Sequence, residues 1–227
     1  MVMIHKVVKK IKFFWNFLII SSLKGKNKFS YIYNNSYWKN QTNGSRSGSG
    51  SNVSSTKNII LELNKLIKEK NIKSILDIPC GDWNWMQKLN LKNVSYLGGD
   101  IVDEIIKENN IKFSSDRIKF ESIDIIFDKL PDSDLIIIRD LLVHLKDNEI
   151  FDFFKNIKKS NFKYIAITSF DHILQNTKGT IDDNWRPLNL TIAPFYLRQP
   201  EIKLDDSCNG TFNEKFKKLY VWENSLD

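Results

Sequence analysis

The residues best suited to chemistry lie in a short turn between two apolar segments. An apolar run that starts at Ser74 ends in Pro79-Cys80-Gly81-Asp82, and a second segment of apolar periodicity follows it. This pattern predicts a buried strand, a tight turn and a helix over residues 83–89. In α/β sheets, the backbone N–H groups of such a turn and of the helix N-terminus face the ligand crevice. The turn is therefore the predicted binding site.

An acidic residue at a characteristic distance indicates the class of ligand. Asp100 ends the next strand-like run, Val94–Asp100. It follows the turn by about 20 residues, the separation at which a carboxylate reaches the ribose of a bound nucleoside. The two segments together predict a site for an adenosine-bearing cofactor.

The composition of the turn distinguishes between two such cofactors. A nicotinamide site needs Gly-x-Gly-x-x-Gly, whereas Gly81 is the only glycine here and Trp83 and Trp85 follow it. The carboxylates of Asp77 and Asp82 would repel a pyrophosphate, but they would attract a cation. S-adenosylmethionine carries a sulfonium and an α-ammonium group, so the acidic turn favours this cofactor over NAD.

The elements around the turn alternate in type. Alternating strands and helices predict a parallel sheet with helices on both faces, and a last, antiparallel strand is expected at the edge. The predicted fold class is α/β, a Rossmann-like, doubly wound, mostly parallel seven-stranded sheet with an antiparallel C-terminal edge strand. Strands are predicted over 74–79, 94–99, 118–123, 134–139, 163–169, 194–200 and 216–222, and helices over 56–70, 83–89, 102–109 and 147–159.

The charge of the chain is unevenly distributed. The formal net charge is +7, but residues 1–28 contain seven lysines and no acidic residue. Residues 29–227 therefore contain 27 basic and 27 acidic residues, and this neutral body argues against a nucleic-acid-binding face. The two cysteines, Cys80 and Cys208, form no disulfide framework, which indicates a reduced, cytoplasmic setting.

The first 28 residues are interpreted as a segment separate from the domain predicted over 29–227. Basic Met1–Lys12 precedes apolar Phe13–Ile20, which is too short to span a bilayer, since spanning takes about 20 residues. Three interpretations stay open. In the first, the segment lies on an anionic membrane surface, which makes the protein a peripheral membrane protein. In the second, it packs as a helix on its own domain or on a partner chain. In the third, it is a signal peptide that is cleaved off.

The motifs resemble those of class I S-adenosylmethionine-dependent methyltransferases. The resemblance is to a set of methyltransferase-domain proteins with the pattern Asp-x-Pro-Cys-Gly-Asp-x-x-Trp-Met, which here is Asp77–Met86. Pro79 stands where the broader Asp-x-Gly-x-Gly pattern has its first glycine. The resemblance covers roughly residues 38–224 and continues through Ser45–Ser51, Tyr96–Ile101, Arg139–Leu145 and Asp183–Leu190.

The resemblance implies a role for each matching residue. Ser45–Ser51 would form a lid over the cofactor. Within this lid, Gly48 would contact the cofactor and Arg46 would pair with its carboxylate. The methionine end of the cofactor would contact Asp77, Cys80, Gly81 and Asp82, and its ribose would contact Asp100 and Ile101. The adenine ring would lie near Asp124 and Ile125, and Arg139 and Asp140 would face the transferring methyl group.

Simpler interpretations of several of these residues stay open. Asp82 would serve only as a helix N-cap, and Asp124 would be only an acidic residue of a turn, with no ligand bound to it. The Gly/Ser stretch would be a solvated linker, and Trp83 and Trp85 would belong to the core.

Two residues are candidates for a general base. Asp140 and His144 follow the fourth predicted strand and lie four residues apart, and either would accept the proton of a hydroxyl acceptor. Trp185, Arg186 and Asn189 are the predicted acceptor-binding residues, because they combine a stacking surface, a guanidinium and an amide.

The predicted acceptor is a small polar molecule, such as a sugar or glycan precursor, and the predicted reaction is its O-methylation; a protein loop fits the acceptor residues almost as well. Two alternatives stay open, a non-catalytic S-adenosylmethionine-binding module and a nicotinamide-dependent oxidoreductase. No metal site is predicted.

Overall fold

The computed structural model describes residues 15–38, 44–178 and 185–226. These residues form one sheet of seven strands in the order β3-β2-β1-β4-β5-β7-β6. The strands are β1 (Ser74–Asp77), β2 (Ser95–Asp100), β3 (Ile118–Ser122), β4 (Ser133–Ile138), β5 (Phe162–Phe170), β6 (Ile202–Asp205) and β7 (Lys217–Glu223). The helices are α1 (Gly25–Asn34), α2 (Lys57–Glu69), α3 (Asp103–Phe113) and α4 (Asp147–Ile157), and residues 15–22 are also helical.

The sheet confirms the predicted fold class and corrects two of its details. Strands β1 to β5 are parallel, and β7 is antiparallel to both of its neighbours. Strand β6 pairs with the outer side of β7, so β6 rather than β7 forms the edge. The strand predicted over 194–200 does not form, and β6 lies further along the chain. Pro194 and Pro200 lack the backbone N–H that a ladder requires, which accounts for that difference.

Apolar side chains cover both faces of the sheet, as the alternation predicts. The side chains of Leu135–Ile138 in β4 are fully buried, as expected for a central parallel strand. Helices α2 and α3 pack on one face. Helix α4 and the apolar residues of 188–195 pack on the other.

The chain after β1 differs from the prediction. No α-helix forms over 83–89; the turn leads only into a single 3₁₀ turn, Met86–Lys88. Gly81 and Trp83 have φ angles of +54° and +53°, in the left-handed region, which an α-helix does not contain. The Trp83 ring packs against Tyr96 and Phe120 at centroid distances of 5.7 and 5.5 Å, so this tryptophan belongs to the core. The N-cap interpretation of Asp82 is therefore wrong, because there is no helix for it to cap.

The N-terminal hairpin, defined here as residues 15–38, packs on the domain. Helix α1 continues across the boundary predicted between residues 28 and 29. Ile20 and Ile32 are buried, and the Tyr31 hydroxyl donates to Asn16 Oδ1 at 3.0 Å, which joins the two helical parts of the hairpin. Among the described residues, no helix has the length and apolar character that a membrane span needs. The basic residues 1–12 lie outside the described part of the chain.

Candidate functional site

A cavity of about 830 Å³ opens at the carboxyl ends of β1, β2 and β4. The strand order reverses between β1 and β4, and α/β sheets bind ligands at such a reversal. The volume lies within the range of about 300–1,000 Å³ that is typical of small-molecule sites. Twelve of the predicted site residues line the cavity: Gly48, Asp77, Cys80, Gly81, Asp100, Ile101, Asp124, Ile125, Arg139, Asp140, His144 and Trp185.

Two buried carboxyl groups form the floor of the cavity. Asp77 ends β1 and accepts a hydrogen bond from the Tyr96 hydroxyl at 2.6 Å. Asp100 ends β2 and accepts from the backbone N–H groups of Gly81 at 3.1 Å and Val102 at 3.0 Å. Burial raises the pKa of Asp77 to about 7 and that of Asp100 to about 6. A cation bound beside them would favour their ionised forms and so lower both pKa values.

Asp124 combines its turn role with a place on the cavity wall. Its carboxylate accepts from the backbone N–H of Ile126 at 2.9 Å, and its own N–H donates to Asp128 Oδ2 at 2.8 Å. These bonds fix the loop after β3 and place Ile125 on the wall. The side chains of Ile101 and Ile125 provide the apolar surface that a planar ring would need.

A charged quartet, Arg139, Asp140, Asp206 and Lys217, lies beside the cavity. Arg139 donates to both carboxylate oxygens of Asp206 at 2.9 Å, and Lys217 Nζ lies 3.0 Å from Asp140 Oδ2 and 3.3 Å from Asp206 Oδ2. Burial alone would raise the pKa of Asp140, but the charges of Lys217 and Arg139 overcome this and hold it well below its usual range. A carboxylate whose pKa is lowered in this way is a poor proton acceptor.

The quartet also changes the predicted role of Arg139. Its guanidinium is bound to Asp206 and donates to the carbonyl oxygen of Gly50 at 3.0 Å, so these contacts within the protein hold it in the cavity wall. Sequence reasoning missed Asp206 and Lys217. These residues come from the loop before β7 and from its first position, and nothing in their local sequence indicates partners just after β4.

His144 is held by the N-terminal hairpin. It ends the 3₁₀ turn Leu142–His144 and lines the cavity. The Trp38 ring stacks on the imidazole with a centroid distance of 4.6 Å and an angle of 30°. Lys28 Nζ donates to the His144 carbonyl oxygen at 2.9 Å. Lys28 is buried, and the loss of hydration lowers its pKa. Sequence reasoning missed the Lys28 contact because it separated residues 1–28 from the domain, and it missed the Trp38 contact because the two rings are far apart in the chain.

A strap, residues 44–52, lies across the turn. The Ser45 hydroxyl donates to both oxygens of Asp82 at 2.8 Å, and the N–H of Arg46 donates to one of them at 2.8 Å. In return, the N–H of Asp82 donates to Ser47 Oγ at 2.9 Å. A Cβ atom on Gly81 would lie 2.5 Å from that Oγ, so only glycine fits under the strap.

The strap corrects two predicted cofactor contacts. The carboxylate of Asp82 binds the strap and does not line the cavity. Arg46 pairs with Glu108 at 2.9 Å and lies 3.9 Å above the centroid of the Tyr33 ring, and it does not line the cavity either. The side chains of Asp82 and Arg46 are therefore both occupied by contacts within the protein.

Two of the three predicted acceptor-binding residues are also structural. Arg186 is fully buried, and its guanidinium binds Asp147 and the carbonyl oxygens of Leu145 and Thr177. Asn189 is buried as well, and its Nδ2 donates to the Ile173 carbonyl oxygen at 2.9 Å. These bonds attach the segment after residue 184 to the start of α4 and to the loop after β5. Only Trp185 of the three lines the cavity.

The structural role of Arg186 predicts a loss of stability. We expect Arg186→Met to lower the free energy of unfolding by about 3 kcal/mol, because it leaves buried carbonyl oxygens without a donor. Urea denaturation measures this, with exposed Arg117→Met as the control, for which a change below about 0.5 kcal/mol is expected. Equal midpoints for the two variants would contradict the structural assignment.

Comparisons with known proteins concern the fold alone. No family model matches the chain, and no curated protein matches it. The methyltransferase domain of bacterial CtHen1 aligns with a TM-score of 0.53 and 15% identity over 74% of this chain and 98% of that one. NodS, an N-methyltransferase from Bradyrhizobium japonicum WM9 crystallised with S-adenosylhomocysteine, aligns with a TM-score of 0.52 and 16% identity over 73% of this chain and 84% of that one. The PH0226 protein from Pyrococcus horikoshii OT3 aligns with a TM-score of 0.52 and 17% identity over 74% of this chain and 91% of that one.

These similarities show that the chain has the class I methyltransferase fold. The seven-stranded, mostly parallel sheet with its antiparallel β7 matches this architecture.

Proposed function

We propose that the protein is an S-adenosylmethionine-dependent methyltransferase. The observation that carries the proposal is the pair of buried carboxyl groups, Asp77 and Asp100, at the floor of the cavity. NodS, which shares the fold, was crystallised with S-adenosylhomocysteine. A likeness at this identity supports a cofactor class only together with the chemistry of the cavity, and that chemistry is acidic.

The residues present fit the cofactor. Asp77 and Cys80 would lie at its methionine end, Asp100 at the ribose hydroxyls, and Ile101 and Ile125 at the adenine ring. The basic residues Arg139 and Lys217 also line the cavity, but they are paired with acids in the quartet, so the remaining carboxylates make the lining attractive to a sulfonium and an ammonium group. When bound, the cofactor supplies the methyl group.

The chain's own residues divide the remaining work. His144, fixed by Trp38 and Lys28, would take the proton from the acceptor. The ionised carboxylate of Asp140 would accept a hydrogen bond from the acceptor and so orient it. Alignment of acceptor and methyl group supplies a large part of the barrier reduction, about 7–11 kcal/mol in well-oriented systems. The strap would exclude water from the site.

We propose a hydroxyl of a small polar molecule, such as a sugar or glycan precursor, as the acceptor. The support comes from the rings of Trp38 and Trp185, which line the cavity together with polar Asn148 and Glu149. Aromatic rings beside hydrogen-bonding groups suit a polyhydroxylated ring. Arg186 and Asn189 no longer support this proposal.

Calorimetry with S-adenosylmethionine tests the cofactor assignment. We expect Asp100→Asn to weaken binding about 10-fold to 100-fold, because a hydrogen bond to a charged group contributes about 1.5–3 kcal/mol. The matched control is Asp116→Asn, the same change at an exposed position before β3, which we expect to bind as the wild type does. Tight binding of NAD without binding of S-adenosylmethionine would reject the proposal. Production of S-adenosylhomocysteine with a panel of sugars then separates an enzyme from a non-catalytic binding module.

A further inference from the structure

The outer face of the N-terminal hairpin is apolar and exposed. Trp15, Leu18 and Ile19 have relative exposures of 60%, 43% and 37%. Their spacing places them on one side of the helical stretch 15–22. The opposite side is occupied, because Ile20 is fully buried and Asn16 accepts a hydrogen bond from Tyr31. An apolar face of this kind on a packed helix indicates a binding surface.

The charge of the same part of the chain indicates what binds there. Residues 1–28 contain seven lysines and no acidic residue, whereas the rest of the chain is neutral. Of the three lysines that the structure describes in this segment, Lys24 is exposed, Lys26 pairs with Asp103 at 2.6 Å and Lys28 donates to the His144 carbonyl oxygen. Tryptophan and leucine on one helix face, with lysines before and after them in the sequence, suit the surface of an anionic bilayer. The rings enter the interfacial region, and the ammonium groups meet the lipid phosphates.

The inner side of the hairpin belongs to the cavity. Lys24, Gly25 and Phe29 line it, and Lys28 and Trp38 contact His144. Only a few residues separate the exposed apolar face from these lining residues. A surface bound to the outer face would therefore be separated from the cavity only by the hairpin.

We infer that the N-terminal hairpin docks the protein on an anionic lipid surface, with the hairpin between that surface and the cavity. The apolar residues of the outer face insert between lipid headgroups, and the lysines on either side of that face in the sequence, Lys6 to Lys12 and Lys24, supply the electrostatic attraction. This inference goes beyond the proposed function and does not depend on methyl transfer. It adds that the side of the cavity formed by the hairpin is turned towards the membrane.

Co-sedimentation of the full chain with vesicles tests the inference. We expect wild-type protein to bind vesicles of phosphatidylcholine with 30% phosphatidylserine at about 0.1 M salt, and to lose most of this binding at about 0.5 M salt. The double variant Trp15→Ser/Leu18→Ser should bind these vesicles at least about tenfold more weakly. The control, Leu61→Ser, changes a leucine of α2 that is 70% exposed, and it should bind as the wild type does.

Three results would overturn the inference. The first is absence of binding to the anionic vesicles, and the second is equal binding to vesicles of phosphatidylcholine alone. The third is a dimer that the double variant abolishes without any vesicle binding, since the face would then join two copies of this chain. Thermal unfolding and S-adenosylmethionine calorimetry on the same variants show whether they are folded. The calorimetry also keeps a failure here distinct from a failure of the proposed function.

Discussion

Replacing Asp206 by alanine is expected to lower the free energy of unfolding by about 3–5 kcal/mol. Asp206 is fully buried and accepts hydrogen bonds from Arg139 at two oxygens, and Lys217 Nζ lies 3.3 Å away. Its removal leaves two buried cations with only Asp140 to balance them. An uncompensated buried charge is among the most costly defects a fold can carry.

Thermal and urea denaturation measure the effect of Asp206→Ala. For a chain of this size, the expected loss corresponds to a decrease in Tm of about 6–20 °C. The neighbouring Asp205→Ala is the matched control, because Asp205 lies nearer the surface, where it pairs with Lys218 at 2.8 Å and accepts hydrogen bonds from Asn58 and Ser207. A surface ion pair contributes at most about 1 kcal/mol, so a smaller loss is expected for this variant. Similar losses in the two variants would contradict the description of the quartet.

A double variant tests the physical cause of that loss. In Arg139→Met/Asp206→Leu, one cation and its anion are removed together and replaced by apolar side chains of similar size. We expect this variant to be more stable than Asp206→Ala alone, because the strongest unpaired charge is gone. If instead the double variant lost as much stability as its two single substitutions together, packing and not charge pairing would explain the loss.

The stability of the cofactor-free protein is expected to fall as the pH rises from about 5 to about 8. Burial raises the pKa of Asp77 to about 7 and that of Asp100 to about 6, from an ordinary value of 3.8. Between these values the folded state binds more protons than the unfolded state, so a rise in pH favours unfolding. For Asp77 the full difference corresponds to about 4 kcal/mol. The lowered pKa of Asp140 acts only at more acidic pH and does not cancel this trend.

Urea denaturation from pH 5 to pH 8 measures the trend. Asp77→Asn should reduce the trend to the part that Asp100 contributes, because an amide of the same shape does not ionise, whereas Asp116→Asn should leave the slope unchanged. Calorimetry in two buffers of different ionisation enthalpy should also show that S-adenosylmethionine binding releases protons near pH 6, since a cation favours the carboxylate forms. A stability that does not change with pH would show that these carboxyl groups are ionised in the free protein.

The fold was largely predictable from the sequence because its signal is local. Apolar runs and helical periodicity fix the type of each element, and the alternation of strands and helices fixes the parallel core. The carboxyl ends of parallel strands meet at one edge, which is why Asp77, Asp100 and Asp140 were expected together. The missing helix after Gly81 was not predictable, since the packing of the Trp83 ring against β2 and β3 overrides the local periodicity.

The errors in the site have a different physical origin. Arg46, Asp82, Arg186 and Asn189 have side chains that bind ligands well, but the same donors and acceptors also bind protein. Residue type does not tell which partner is present. The quartet and the contacts of His144 were missed for a related reason, because each joins residues far apart in the chain. Only the folded structure brings Lys28 and His144 within 2.9 Å.

The contact between Lys28 and His144 has a consequence for the order of events during synthesis. The two residues are separated by 116 positions. At about 5–20 residues per second, a ribosome needs roughly 6–23 seconds to add that length. During this interval the apolar inner side of the hairpin, with Ile20 and Ile32, has left the ribosome without the surface it will cover. The hairpin therefore cannot complete this side of the cavity until residue 144 has been translated.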